Sequence, residues 1–125
     1  MATTSEGKVK KKIQKLLSNR GAWSHCPMTH GYGHSGVHDV VAIYKGYFLS
    51  IEAKATAKDK PTMLQNKSAR DVIHAGGSVL LIHKDNVDLL DKTLDSLDKY
   101  AKVSNPIMQI VEWPVELNNL GEVEN

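Results

Sequence analysis

Cysteine occurs once in the chain, at Cys26. A single thiol forbids an intrachain disulfide, and with no second cysteine nearby a zinc ribbon has no ligand set. Cys26 is therefore read as a small core residue. No apolar run is long enough to cross a bilayer, and Met1–Gly7 lacks the apolar stretch of a signal peptide, so no membrane span and a cytosolic location are expected. Repeats and low-complexity segments are missing as well. What is present, 125 residues of which 41% are hydrophobic, suits one domain over 1–125 with a real core. That core is expected over about 3–113, with an acidic tail over 114–125 that frays from Leu117 onward.

The net charge of +2 hides an uneven distribution. Residues 1–20 carry six basic side chains and one acidic, whereas residues 85–125 carry three basic and nine acidic. A basic half attracts phosphate and an acidic half limits nonspecific binding; the plainer reading of both is ordinary solvated helix surface.

The most informative stretch is Gly36–Lys54, two apolar and β-branched runs broken at Lys45-Gly46, which predicts a β-hairpin. With the turn centred there, Tyr44 pairs with Tyr47, and counting outward places Asp39 opposite Glu52 on one face of the sheet. Lys54, two residues on, shares that face. Opposed side chains have Cβ atoms about 4.5–5.5 Å apart, so two carboxylates there repel unless something compensates. The flanking Val40, Val41, Ile43, Leu49 and Ile51 predict buried strands, which raises the cost. A divalent cation would compensate; the plain alternative is a chance carboxylate pair at a strand rim with Lys54 solvated.

Around the hairpin the remaining elements follow in order. Residues 3–20 predict a helix with Val9, Ile13, Leu16 and Leu17 as its apolar stripe, ended by Asn19-Arg20-Gly21. Glu6 lies one turn before Val9 on the inward side, although Thr3-Thr4-Ser5-Glu6 also reads as a capping box. Ala22–Met28 predicts a first strand. Thr29–Ser35 is either a simple connecting loop or one whose Gly31-Tyr32-Gly33-His34 run can approach a phosphate backbone closely, with Tyr32, Gly33 and His34 as contacts. His30, His34 and His38 recur every fourth position, but the interleaved glycines oppose a helical metal array.

Pro61-Thr62 opens a helix running to about Ala75, with Gln65, Ala69, Val72, Ile73 and Gly76 on its inner face. Thr62 and Gln65 again have capping-box spacing. Ser78–His83 reads as a buried strand parallel to the hairpin's second strand through a right-handed crossover. Asp85 is expected to cap a helix bearing Val87, Leu90, Leu94 and Leu97 inward and Asp88, Asp91, Asp95 and Asp98 outward. Ile107–Trp113 predicts the last strand. The fold class is thus α/β, a small mixed β-sheet flanked by helices.

Gly31-Tyr32-Gly33, Gly36-Val37-His38-Asp39, Ile51-Glu52-Ala53-Lys54-Ala55, Lys60-Pro61-Thr62-Met63-Leu64-Gln65 and Ala75-Gly76-Gly77 occur in an order that resembles the virus-type replication-repair nuclease (VRR-NUC) branch of the PD-(D/E)XK nuclease superfamily. His38 stands where that family usually has proline. The resemblance implies a restriction-endonuclease-like core and a metal-dependent endonuclease, with Asp39, Glu52, Lys54 and Gln65 catalytic. It implies Mg²⁺ or Mn²⁺ held by Asp39, Glu52 and the Ala53 carbonyl, with Glu6 as an accessory acid. DNA would be contacted through Lys8, Lys11, Lys12, Lys15, Lys58 and Lys60. It further implies a homodimer cutting branched DNA such as four-way junctions, with the amphipathic first helix and Ile107–Val111 as candidate two-fold surfaces. The competing class is a noncatalytic nucleic-acid-binding or assembly protein on a degenerate nuclease fold.

Overall fold

Lys45 and Gly46 both have positive φ, 53° and 88°, as the two central residues of a type I′ hairpin turn require. That turn joins β2 (Val40–Tyr44) to β3 (Tyr47–Ala53) in the Tyr44↔Tyr47 register read from the sequence. The computed structural model describes residues 4–28, 36–101 and 108–117. The other elements are α1 (Ser5–Asn19), β1 (Trp23–His25), α2 (Met63–His74), β4 (Ser78–Ile82), α3 (Val87–Ala101) and β5 (Val111–Glu112).

The five strands form one sheet in the order β1-β2-β3-β4-β5. β1, β2 and β3 pair antiparallel, whereas β3–β4 and β4–β5 pair parallel. The chain is therefore α/β, a mixed sheet flanked by helices. Alternation along the strands divides the apolar side chains between two layers. Val40, Ala42, Leu49, Ile51, Leu80 and Ile82 pack against Val9, Ile13 and Leu17 of α1 and Leu90, Leu94 and Leu97 of α3. On the opposite face, Ala69 of α2, Val79 and Leu117 form a smaller cluster with Val72, Ile73 and Trp113. Among the described residues no helix is long and apolar enough to cross a membrane.

Several sequence expectations need correction. The first strand is shorter than Ala22–Met28. At its start α1 is capped by Thr4, whose hydroxyl accepts from the Gly7 amide, so Glu6 is not the capping-box acid. α3 begins at Val87, directly after Asn86 rather than Asp85. The Asn86 side chain accepts from the His83 amide and donates to the Leu81 carbonyl.

The last strand is only two residues long, while Trp113 and Leu117 beyond it are packed against α2 and β4. The core accordingly extends past 113, and Leu117 does not fray. On α2, Asn66 and Ala69 are the buried residues, and Gly76 is exposed beyond the helix end.

The acidic exterior of α3 is also engaged. Arg20 reaches Asp91, Asp95 and Asp98 at 2.6, 2.8 and 3.0 Å, and the Tyr44 hydroxyl donates to Asp98 at 2.7 Å. This clamp ties the end of α1 and strand β2 to α3, and hydrogen bonding to Tyr44 holds the Asp98 carboxyl below its usual pKa.

Candidate metal and catalytic site

The β2–β3 ladder stops at Val40↔Ile51, one step short of Asp39, so Asp39 stands at a bend and not inside a strand. Its carboxylate completes the pattern, because Oδ2 accepts the Ala53 amide at 2.9 Å. The next amide, Lys54, bonds to the Ile82 carbonyl on the other side of β3. Glu52 thus sits at the carboxyl end of a central strand, between the Asp39 bend and β4, and is buried.

The α2 N-terminus lies over this face. Thr62 caps the helix, accepting from the Gln65 amide at 3.1 Å, and Gln65 Oε1 accepts in return from the Thr62 amide at 2.9 Å. That same Oε1 accepts from Lys54 Nζ at 3.0 Å, while Gln65 Nε2 donates to Glu52 Oε2 at 2.9 Å. Lys54 Nζ is also 3.4 Å from Glu52 Oε2. Capping and site roles, which the sequence offers as alternatives for Gln65, are filled by one side chain at once. Glu52, Lys54 and Gln65 converge, and Asp39 joins them through its electrostatic effect on Glu52.

Glu52 Oε2 is held on two sides, but Oε1 is buried with no hydrogen-bond partner among the described residues. Leaving such an atom unsatisfied costs about 1–3 kcal/mol, more if it is charged. Burial, and next the negative charge of Asp39, push the Glu52 carboxyl up to about 8, against the opposing pull of Lys54. A proton or a cation at Oε1 relieves both penalties.

Asp39 and Glu52 fit a hard divalent ion in donor type. Among the described residues no three His, Cys, Asp or Glu side chains converge as a metal-holding group, so an ion here would draw its other ligands from backbone, water or phosphate. Glu6 lies near without completing a triad. It is exposed overall, yet partial burial and then Asp39 raise the pKa of its carboxyl, with Lys54 acting in the opposite direction.

His38 is not available as a zinc ligand. Nδ1 lies 2.7 Å from Ser50 Oγ, and Nε2 2.9 Å from the Gln65 carbonyl; burial lowers its pKa. Its ring stacks on Trp113 at 4.9 Å, and Trp113 Nε1 donates to Asn66 Oδ1 at 2.9 Å. Ser50, Asn66 and Trp113 were invisible as site supports in the sequence, since their contacts join segments 12, 47 and 75 residues apart.

Lys8, Lys11, Lys12 and Lys15 project from α1 into solvent, and Lys58 and Lys60 from the loop after β3. Tyr32, Gly33 and His34, together with His30, lie outside the described residues. The apolar stripe of α1 is consumed by the protein's own core, which removes it as a two-fold surface. Met108 and Ile110 likewise pack inward, leaving Val111 exposed. No family model matches the chain, and no curated protein or solved structure matches it either.

Proposed function

We propose that this chain is a divalent-metal-dependent DNA endonuclease with a PD-(D/E)XK-type core. The observation that carries the reading is the buried Glu52, one oxygen held by Gln65 and Lys54, the other without a partner among the described residues, and the whole carboxyl raised in pKa by burial and by the charge of Asp39. Asp39 and Glu52 would hold Mg²⁺ or Mn²⁺, with the Ala53 carbonyl and Glu6 as further contacts. Bound there, the ion supplies charge neutralisation at a scissile phosphate and a water of lowered pKa.

Lys54 has three donors. Gln65 and Glu52 take two, which leaves one for the attacking water or the charge developing on phosphate. Gln65 holds Lys54 and Glu52 at a fixed separation, and its cap bond fixes Gln65 in turn. The solvent-facing lysines of α1 and of the 54–62 loop would contact phosphates without reading sequence, so binding should weaken steeply with salt.

Cutting both strands of a branched substrate requires two sites, and we include a cytosolic homodimer acting on four-way junctions in the proposal. The two-carboxylate composition of the site favours the alternative, a noncatalytic nucleic-acid-binding protein on the same fold. Incubation with Mg²⁺ or Mn²⁺ and a panel of duplex, nicked, flapped and four-way-junction DNAs separates them. Metal-dependent cutting that Lys54→Ala lowers by about 10²–10³-fold is the expected result. DNA binding with no cleavage of any substrate would overturn the enzyme reading. Light scattering showing a monomer at micromolar concentration would remove the dimer.

A further inference from the structure

We infer that His38 is a positioning residue for this site: it locks the first turn of α2, and with it Gln65, against the strand entry that carries Asp39. The inference rests on the nuclease reading for its catalytic consequence, though not for its geometry.

His38 is 2% exposed and joins three parts of the chain. The Gln65 carbonyl can only accept, so Nε2 carries the hydrogen, and Nδ1 of a neutral ring then accepts from the Ser50 hydroxyl. The ring thus links β3 to the first turn of α2, and its stacking on Trp113 adds the segment after β5. Trp113 in turn bonds Asn66, the neighbour of Gln65.

Two residues before His38, Gly36 reinforces the same contact. Its φ is 87°, and a Cβ there would overlap the backbone of Leu64, the residue preceding Gln65. Gly36 and His38 therefore lie directly against Leu64 and Gln65, and only a glycine at 36 permits that approach.

A purely space-filling residue does not account for this arrangement. A helix carbonyl at position 65 already has an intrahelical acceptor role toward the amide four residues on, so the imidazole is not needed to satisfy it. What the imidazole adds is a fixed direction. It grips Gln65 by the backbone, while Thr62, Lys54 and Glu52 grip its side chain. Along this branch any influence of His38 on Lys54 and Glu52 passes through Gln65, whereas the Ser50 bond reaches β3 without it.

The test is a double-mutant cycle in cleavage kinetics. His38→Phe keeps ring volume and stacking but loses the donor; kcat should fall about 10- to 100-fold, as for other residues that orient a metal site from outside, with KM and Mn²⁺ affinity unchanged. His38→Gln, which can still donate to the Gln65 carbonyl, should recover most of the loss. In a Gln65→Ala background His38→Phe should produce no further fall in kcat. Equal falls in both backgrounds would overturn the inference.

Should His38→Phe not fold, Ser50→Ala, which frees only Nδ1, replaces it with a smaller expected fall and the same required non-additivity. A wild type that cuts nothing would sink the nuclease reading alone. In that case the Gln65 side-chain amide resonances decide: displaced in His38→Phe and restored in His38→Gln, they support positioning, and unmoved in both they refute it.

Discussion

On one face of the sheet Val40, Ala42, Leu49, Ile51, Leu80 and Ile82 are sealed from solvent under α1 and α3. On the other, the same strands and their flanks present Asp39, Glu52 and Lys54 at one end. At the turn end they present a cross-strand row of Trp23, Ile43 and Phe48, 59%, 47% and 39% exposed. The hairpin register assigns the residues of β2 and β3, and pairing with β1 and β4 carries Trp23, Leu80 and Ile82 to the matching faces, because alternate positions go to opposite faces. The dry face supplies stability, and the face only partly covered by α2 can hold charge. A one-residue slip would exchange them, so fold and site are specified by the same turn.

The contrast predicts different failures on the two faces. Leu80→Ala on the dry face should cost about 2–5 kcal/mol in urea unfolding, with any surviving folded fraction keeping its metal response. Lys54→Ala on the open face should do the reverse: cleavage falls by about 10²–10³-fold, while the unfolding midpoint stays near wild type.

The third prediction sharpens the comparison through pH. Glu52 holds its proton up to about 8 in the folded chain, against 4.5 for an ordinary glutamate. Between those values folding takes up a proton, so metal-free stability should decline as pH rises through that window, at no more than about 1.4 kcal/mol per pH unit. Glu52→Gln should flatten this component of the decline, and excess Mn²⁺ should offset it in wild type only. Identical pH slopes in both proteins would contradict the assignment.

Smaller effects are expected at the edges of the comparison. Arg20→Ala breaks the clamp on Asp91, Asp95 and Asp98 and should cost about 1 kcal/mol, less in high salt. Trp23→Ser should change chemical stability by about 0.5 kcal/mol or less. If the exposed row is the dimer surface, however, it should convert dimer to monomer in light scattering.

The hairpin was legible because turn chemistry and alternation are local signals: Lys45-Gly46 alone placed Asp39, Glu52 and Lys54 on one face. Gln65 was legible as an inward residue of a capped helix. Helix faces were harder. Asn66, polar and beside Gln65, gave no hydrophobic signal, yet it is buried through its bond to Trp113. The acidic face of α3 read as solvated because nothing local reveals that Arg20, at the end of another helix, is committed to it. His38 read as a departure in a motif, since Ser50, Gln65 and Trp113, its three partners, are all distant in sequence.

The short antiparallel ladder leaves one backbone amide at the heart of the sheet in the care of a side chain. Ala53 donates to Asp39 Oδ2 where a strand carbonyl would ordinarily stand. Its exchange with solvent deuterium therefore reports on a single carboxylate: protection at Ala53 persists while Asp39 is seated and lapses when it swings away. An observer following that one amide can watch the site assemble and come apart without any substrate, metal or assay of turnover.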